Sequence, residues 1–179
     1  MSEDNEQPQN MNEEAQTGQP SLVVNAQYVK DLSFENPNAP KSLMQQSGEP
    51  NVEVGVDTSA VKLEGSTFEV TLTIRAEGKS GEETLFMVET SYGGVFTLGE
   101  TPEEYIALML YVEAPRLLFP FARAVVAECV REGGFPPLLI HPVDFMALFQ
   151  ERAKQAQEEA KKAESPANGS SENKFEFEL

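Results

Sequence analysis

The chain has 179 residues, enough for one domain or for one domain with tails. Its 30 Asp and Glu against 13 Lys and Arg give a net charge of −17, which speaks against a nucleic-acid binder, since the phosphate backbone calls for a basic stripe, and against an anionic membrane surface. The acidity is not confined to the ends: residues 21–152 carry 19 acids against 9 bases, a net −10, which suits a basic client or partner.

Residues 1–20 are Gln, Asn, Glu and Pro with almost no apolar side chain, too little to offset the entropy of ordering, so they read as a disordered acidic tail. The opening MSEDNEQPQN has no apolar region and is not a secretory signal, and no apolar run approaches the roughly 18–20 residues of a membrane span; the cytoplasm is the expected compartment and membrane insertion is not expected.

From Leu22 the hydrophobic period becomes two. Leu22, Val24, Ala26, Tyr28, Leu32 and Phe34 are expected on one face, interrupted by Lys30, with Asn25, Gln27, Asp31, Ser33 and Glu35 on the other: a long half-buried strand. NPNAPK breaks it, because Pro37 and Pro40 remove donors and hold the chain extended, and a crossing loop runs to about Pro50. Val52, Val54 and Val56 mark a second strand and Phe68, Val70, Leu72 and Ile74 a third, ended by the turn signal GKSG at 78–81. The fourth, Thr84 to Phe96, sets Phe86, Val88 and Tyr92 against Met87, Glu89 and Ser91, with a bulge or bend expected at Gly93-Gly94.

Thr101-Pro102-Glu103-Glu104 is a helix start, with Thr101 as N-cap and Pro102 at the first helical position. A very apolar run follows from Tyr105, and Pro115 is expected to end or kink it. Arg116 to Arg131 forms a second helical stretch, disturbed at Pro120 and stopped by Gly133-Gly134. FPPLL (135–139) is a rigid apolar loop. Pro142 opens a final helix with Phe145, Leu148 and Phe149 at spacings of three and four, and residues 153–179 read as its polar extension followed by a disordered acidic tail. That tail ends in KFEFEL, an alternation that suits either a solvated end or a short docking peptide. Strands first and helices after predict an α+β fold: a four-stranded antiparallel sheet with helices on one face.

Catalytic chemistry is hard to find. His141 is the single histidine and precedes Pro142 at a helix start, where it caps backbone or faces water. Cys129 is the single cysteine, in an apolar helical stretch, and reads as a small buried hydrophobe; alone it excludes an intrachain disulfide and a multi-cysteine zinc site. No GxSxG elbow and no phosphate-binding glycine loop occurs, and the pairs Glu82-Glu83 and Glu103-Glu104 sit in turns or caps. The expectation is no enzyme, no cofactor and no metal. The unusual feature is apolar loop chemistry: Pro37, Pro40, Leu43 and Met44 in one loop and Phe135 to Leu139 in another, which either cover the core or line a groove.

KDLSFENPNAP (30–40) resembles the opening motif of the SecB protein-export chaperone family, and GEETLFMVETSYGGVFTL (81–98), LLFPFAR (117–123) and GGFPPLLIHPVDFMALF (133–149) match that family in order, over roughly residues 22–152. The resemblance implies a homotetrameric holdase, a dimer of dimers, that binds unfolded precursors of exported proteins without ATP and hands them to the motor SecA. It implies motor binding at Asp31, Glu35, Met87 and Glu89, and a client groove of Leu43, Met44, Val52, Val54, Val56, Phe135, Leu139, Phe145 and Phe149. It also turns the strand face carrying Val88, Thr90 and Tyr92 toward the helices and the subunit contact. The chain departs from its relatives in the crossing loop, where they often carry an aromatic and this sequence has QQSGEP and no Trp. Two other readings are a small α+β domain holding a lipid-like ligand and a SecB-like chaperone serving a toxin–antitoxin pair.

Overall fold

The structure, a computed structural model, describes residues 21–44 and 50–164; the expected acidic N-terminal tail, most of QQSGEP and the KFEFEL end lie outside the described residues. Four strands, β1 (Leu22–Glu35), β2 (Asn51–Lys62), β3 (Thr67–Ser80) and β4 (Glu83–Leu98), form one antiparallel sheet in the order β1-β4-β3-β2. A short helix, α1 (Lys41–Met44), lies in the crossing loop, and the helical half follows: α2 (Glu103–Leu108), a π-helical turn (Met109–Glu113), α3 (Ala114–Glu132) and α4 (Phe145–Glu164). This is the α+β architecture expected from the pattern.

The alternation of β3 and β4 decides the layers. Val70, Leu72 and Ile74 on β3 and Phe86, Val88, Thr90 and Phe96 on β4 are buried on the inner face, while Arg75 and Met87 point outward. The buried positions of α3, Ala114, Leu118, Ala122, Val126 and Val130, recur every four residues and lay one stripe on this inner face. Each such Leu or Val contributes roughly 1.5–3 kcal/mol by leaving water.

Several local expectations are corrected. Thr101 does not cap the helix: Pro102 takes that position without a side-chain bond, and the Thr101 hydroxyl is buried without a partner among the described residues. Pro115 does not end the helix. The i→i+5 turn at 109–113 widens the backbone just before it, relieving the clash between the Pro115 ring and the carbonyl four residues back, and the helical run continues from Glu103 to Glu132 with Pro120 inside α3. That helix is long and apolar enough to span a membrane by length and composition, against the sequence expectation, but its stripe of small and branched residues packs on the sheet.

The irregularities of pairing fall on β1, between Val24 and Ala26 and between Val29 and Asp31, and near the β3–β4 turn, where Leu85 is inserted opposite Gly78 and Lys79, and not at Gly93-Gly94. Each inserts one residue and exchanges the faces that follow. Ala26 and Tyr28 therefore lie outward, opposite Val95 and Gly93, and Gln27 lies inward, opposite Gly94. The two glycines serve close packing: a Cβ at Gly93 would stand 2.8 Å from the Tyr28 ring, and one at Gly94 would stand 2.6 Å from the Phe96 ring.

The crossing loop is tied down by three polar contacts. Asn36 donates to the Gly133 carbonyl at 3.3 Å, the Ser42 hydroxyl donates to Asn36 at 2.9 Å, and Asn38 donates to the Thr84 carbonyl at 2.8 Å. This fixes α1 against the turn that ends α3.

Candidate functional site

The antiparallel registers bring two outward rows together across all four strands. One reads Glu35, Met87, Glu77, Glu53; the next reads Ser33, Glu89, Arg75, Gly55. Together they line a shallow depression of about 520 Å³. Gly55 leaves its edge low, since a Cβ there would meet nothing within 4 Å. Asp31 lies one row further on, opposite Ser91. Thus Glu35, Met87 and Glu89 are gathered in one place, with Asp31 at the border. Sequence reasoning missed Glu53, Glu77 and Arg75. The alternation already placed all three outward, but only the register shows which outward positions of β2 and β3 stand beside which of β4.

The charges in the depression are unequal. Arg75 holds Glu89 through Nε at 2.7 Å and Nη2 at 3.1 Å, which keeps the Glu89 carboxyl below its ordinary range and the guanidinium above its own. Glu77 is likewise lowered, first by Lys79 at 2.9 Å and then by the Thr84 hydroxyl at 3.0 Å. Asp31, Glu35 and Glu53 have no ion-pair partner among the described residues. What the surface presents is a methionine thioether ringed by carboxylates, three of them uncompensated.

The expected groove residues divide. Val52, Val54 and Val56 stand opposite Gly78, Ala76 and Ile74, on the inner face of the edge strand β2, and Val54 is 43% exposed. Phe149 on α4 stacks with Tyr111 of the π turn at 6.4 Å between centroids. Met44, at 80%, and Leu139, at 82%, are the most exposed of the set. Leu43 packs on the α3 end, where a Cβ at Gly134 would stand 3.0 Å from it. Leu139 sits in a separate, largely apolar depression of about 440 Å³ against Ala124 and Ala127 of α3.

Phe135 and Phe145 are corrections. They are 5% and 2% exposed, Phe135 against Phe86 with centroids at 5.1 Å and Phe145 edge-on to Phe119 at 5.9 Å. Large rings with aromatic partners beneath them are core, not groove lining.

Of the expected subunit-contact residues, Val88 and Thr90 lie beneath the protomer's own helix, 3% and 0% exposed, and the Thr90 hydroxyl donates to the Asp31 carbonyl at 3.3 Å. Only Tyr92 retains surface, stacked on the exposed Phe121 at 6.4 Å. The inner face of β1 beside it leaves Val24, Val29 and Leu32 exposed.

His141 is exposed, and burial followed by Glu128 pushes the Cys129 thiol upward, away from a reactive thiolate. Among the described residues no group of three or more His, Cys, Asp or Glu is placed to hold a metal ion.

Residues 15–156 match the family model described as preprotein translocase subunit SecB. The chain is 52% identical over 132 residues to a protein-export protein SecB of Bradyrhizobium sp., covering 74% of this chain and 82% of that one. It is 48% identical over 142 residues to the protein of that name in Agrobacterium fabrum, covering 79% and 88%. Among solved structures it is similar to the Mycobacterium tuberculosis SecB-like chaperone Rv1957 in complex with a peptide from the HigA1 antitoxin. The TM-score there is 0.58 at 12% identity, covering 68% of this chain and 90% of that one, which is a likeness of fold.

Proposed function

The chain belongs to the SecB family and is a chaperone of protein export, and we propose that it works in the cytoplasm as an ATP-independent holdase, without catalysis, using two separate surfaces. The edge strand β2 takes an extended apolar segment of an unfolded precursor, and the outward acidic depression docks the motor SecA.

The observation that carries the first half is the edge of β2. The Thr58 carbonyl accepts from Arg152 on α4 at 3.2 Å, so it points away from the β3 ladder. Strand alternation then turns the main-chain N–H and C=O of Val52, Val54 and Val56 to the same open edge, while their side chains face inward. An extended client laid there pairs its backbone and buries its apolar side chains at once, which suits unrelated sequences. No bond is made or broken, and no nucleotide enters.

The second half rests on charge. Uncompensated carboxylates around Met87 favour a basic segment with an apolar anchor, and they supply on-rate and specificity. The antitoxin peptide belongs to the Mycobacterium tuberculosis neighbour, whereas the relatives near 50% identity are named for protein export, which favours the export reading. The functional particle in this reading is a dimer of dimers, whose several grooves raise avidity for one long client.

The test is Val54→Asp with Val56→Asp. Placing two charges where apolar side chains pack is expected to lower affinity for an unfolded precursor about tenfold or more, with SecA binding retained. Titration calorimetry without nucleotide reads both; unchanged precursor affinity would contradict the groove.

A further inference from the structure

Arg152 does something at the edge of β2 that the groove alone does not require. It reaches from α4, on the inner side of the sheet, to the Thr58 carbonyl at the edge and to the carboxylate of Asp57, which points outward. The guanidinium thus wraps around the strand edge at one point. Arg fits this role because its planar fork serves two acceptors at once. Beyond it, Ala60 and Lys62 continue the same open-edge register for a further turn of the alternation.

We propose that Arg152, together with the Asp57 carboxylate it holds, is a specificity-determining stop: Arg152 occupies the Thr58 carbonyl while Asp57 accepts from the Thr58 N–H at 2.8 Å, so both edge groups are taken and the track along which a client strand pairs is limited to the Val52–Val56 side. The inference rests on the groove reading above. An added strand needs an unbroken row of donors and acceptors, and a carbonyl already bonded to a charged donor is lost from that row. The clasp is exposed, with side chains 42% and 60% accessible, so it is weak and screened by salt. A stop of this kind sets the length of client held at one site without blocking the site itself.

The experiment uses the full chain and one probe, reduced and carboxamidomethylated ribonuclease A, which is basic and stays unfolded. Amide hydrogen exchange along β2 is followed with and without the probe, in the parent protein, in Arg152→Gln and in Arg152→Lys. The parent is expected to gain protection at Val54 and Val56 and none at Ala60 and Lys62. Arg152→Gln is expected to extend protection to Ala60 and Lys62 and to bind the probe up to about fivefold more tightly, the scale of one exposed ion pair. Arg152→Lys, which keeps a charged donor, is expected to retain the short footprint. A helix-packing role alone would change stability and not the footprint, so denaturation curves are recorded beside it. An identical footprint in parent and Arg152→Gln, with Val54 and Val56 protected in both, would overturn the stop and leave the groove standing. Absence of protection anywhere on β2 in the parent would overturn the groove and the stop with it.

Discussion

Tyr28 and Lys30 converge on one carboxylate, Glu69 of β3: the tyrosine hydroxyl donates to one oxygen and the ammonium to the other at 2.8 Å. The Lys30 bond first, and the Tyr28 bond second, hold the Glu69 carboxyl below its ordinary range, while the bond to Glu69 pushes the Tyr28 phenol upward. A carboxylate whose folded pKa is depressed adds stability above its unfolded pKa and loses it as pH falls through the folded one. Glu69→Gln should therefore cost on the order of 1 kcal/mol at neutral pH, and the difference should vanish below the usual carboxylate range. Urea denaturation of both proteins across a pH series checks this; a gap independent of pH would refute it. The residue scale is also where the sequence misled. Period two assigned Ala26 and Tyr28 to the face of Leu22; the residue inserted between Val24 and Ala26 reversed that, and the one inserted between Val29 and Asp31 restored the facing for Leu32 and Phe34, because a bulge depends on the partner strand.

Strand and helix existence was readable from period and punctuation: β3 and β4 alternate buried with part-exposed positions and Pro102 stands at the start of α2, although α4 begins only at Phe145, three residues past Pro142, with Asp144 accepting from the Ala147 N–H. What joins the elements was not readable. The π turn before Pro115 leaves no mark in the apolar pattern, which runs unbroken through it. The burial of Phe135 and Phe145 requires knowing that Phe86 and Phe119 stand beneath them, whereas the family resemblance had implied groove lining and the 135–139 loop suited either core cover or a groove. The same holds for Val88, expected at a subunit contact and found under α3. Val88→Arg should thus act within the protomer, placing an unpaired charge between sheet and helix at a cost above about 4 kcal/mol. Denaturation and soluble yield read the outcome. A folded, merely dissociated protein would show that the helix does not seal this face.

At the scale of the molecule, apolar surface remains beside β1: Leu117 and Phe121 on α3 and Val29 and Leu32 on the strand are each 43–52% exposed. Clustered exposed apolar side chains mark association, and the assembly proposed above would cover them. Leu117→Asp with Phe121→Asp should lower the native mass while far-UV circular dichroism stays unchanged; a mass equal to the parent's would place the contact elsewhere. In the proposed mechanism motor and client use opposite sides of one sheet. The outward row positions tolerate charge, and the inner valines do not, so the two activities should separate cleanly. Asp31→Lys, Glu35→Lys and Glu89→Lys together reverse the docking patch, and they leave Arg75 facing new positive charge on the outward side, away from the groove. Titration calorimetry of this triple variant, with SecA and with a neutral unfolded precursor, separates the two surfaces. It should show SecA affinity largely lost and precursor affinity nearly unchanged; retained SecA binding, or equal loss of both, would contradict it.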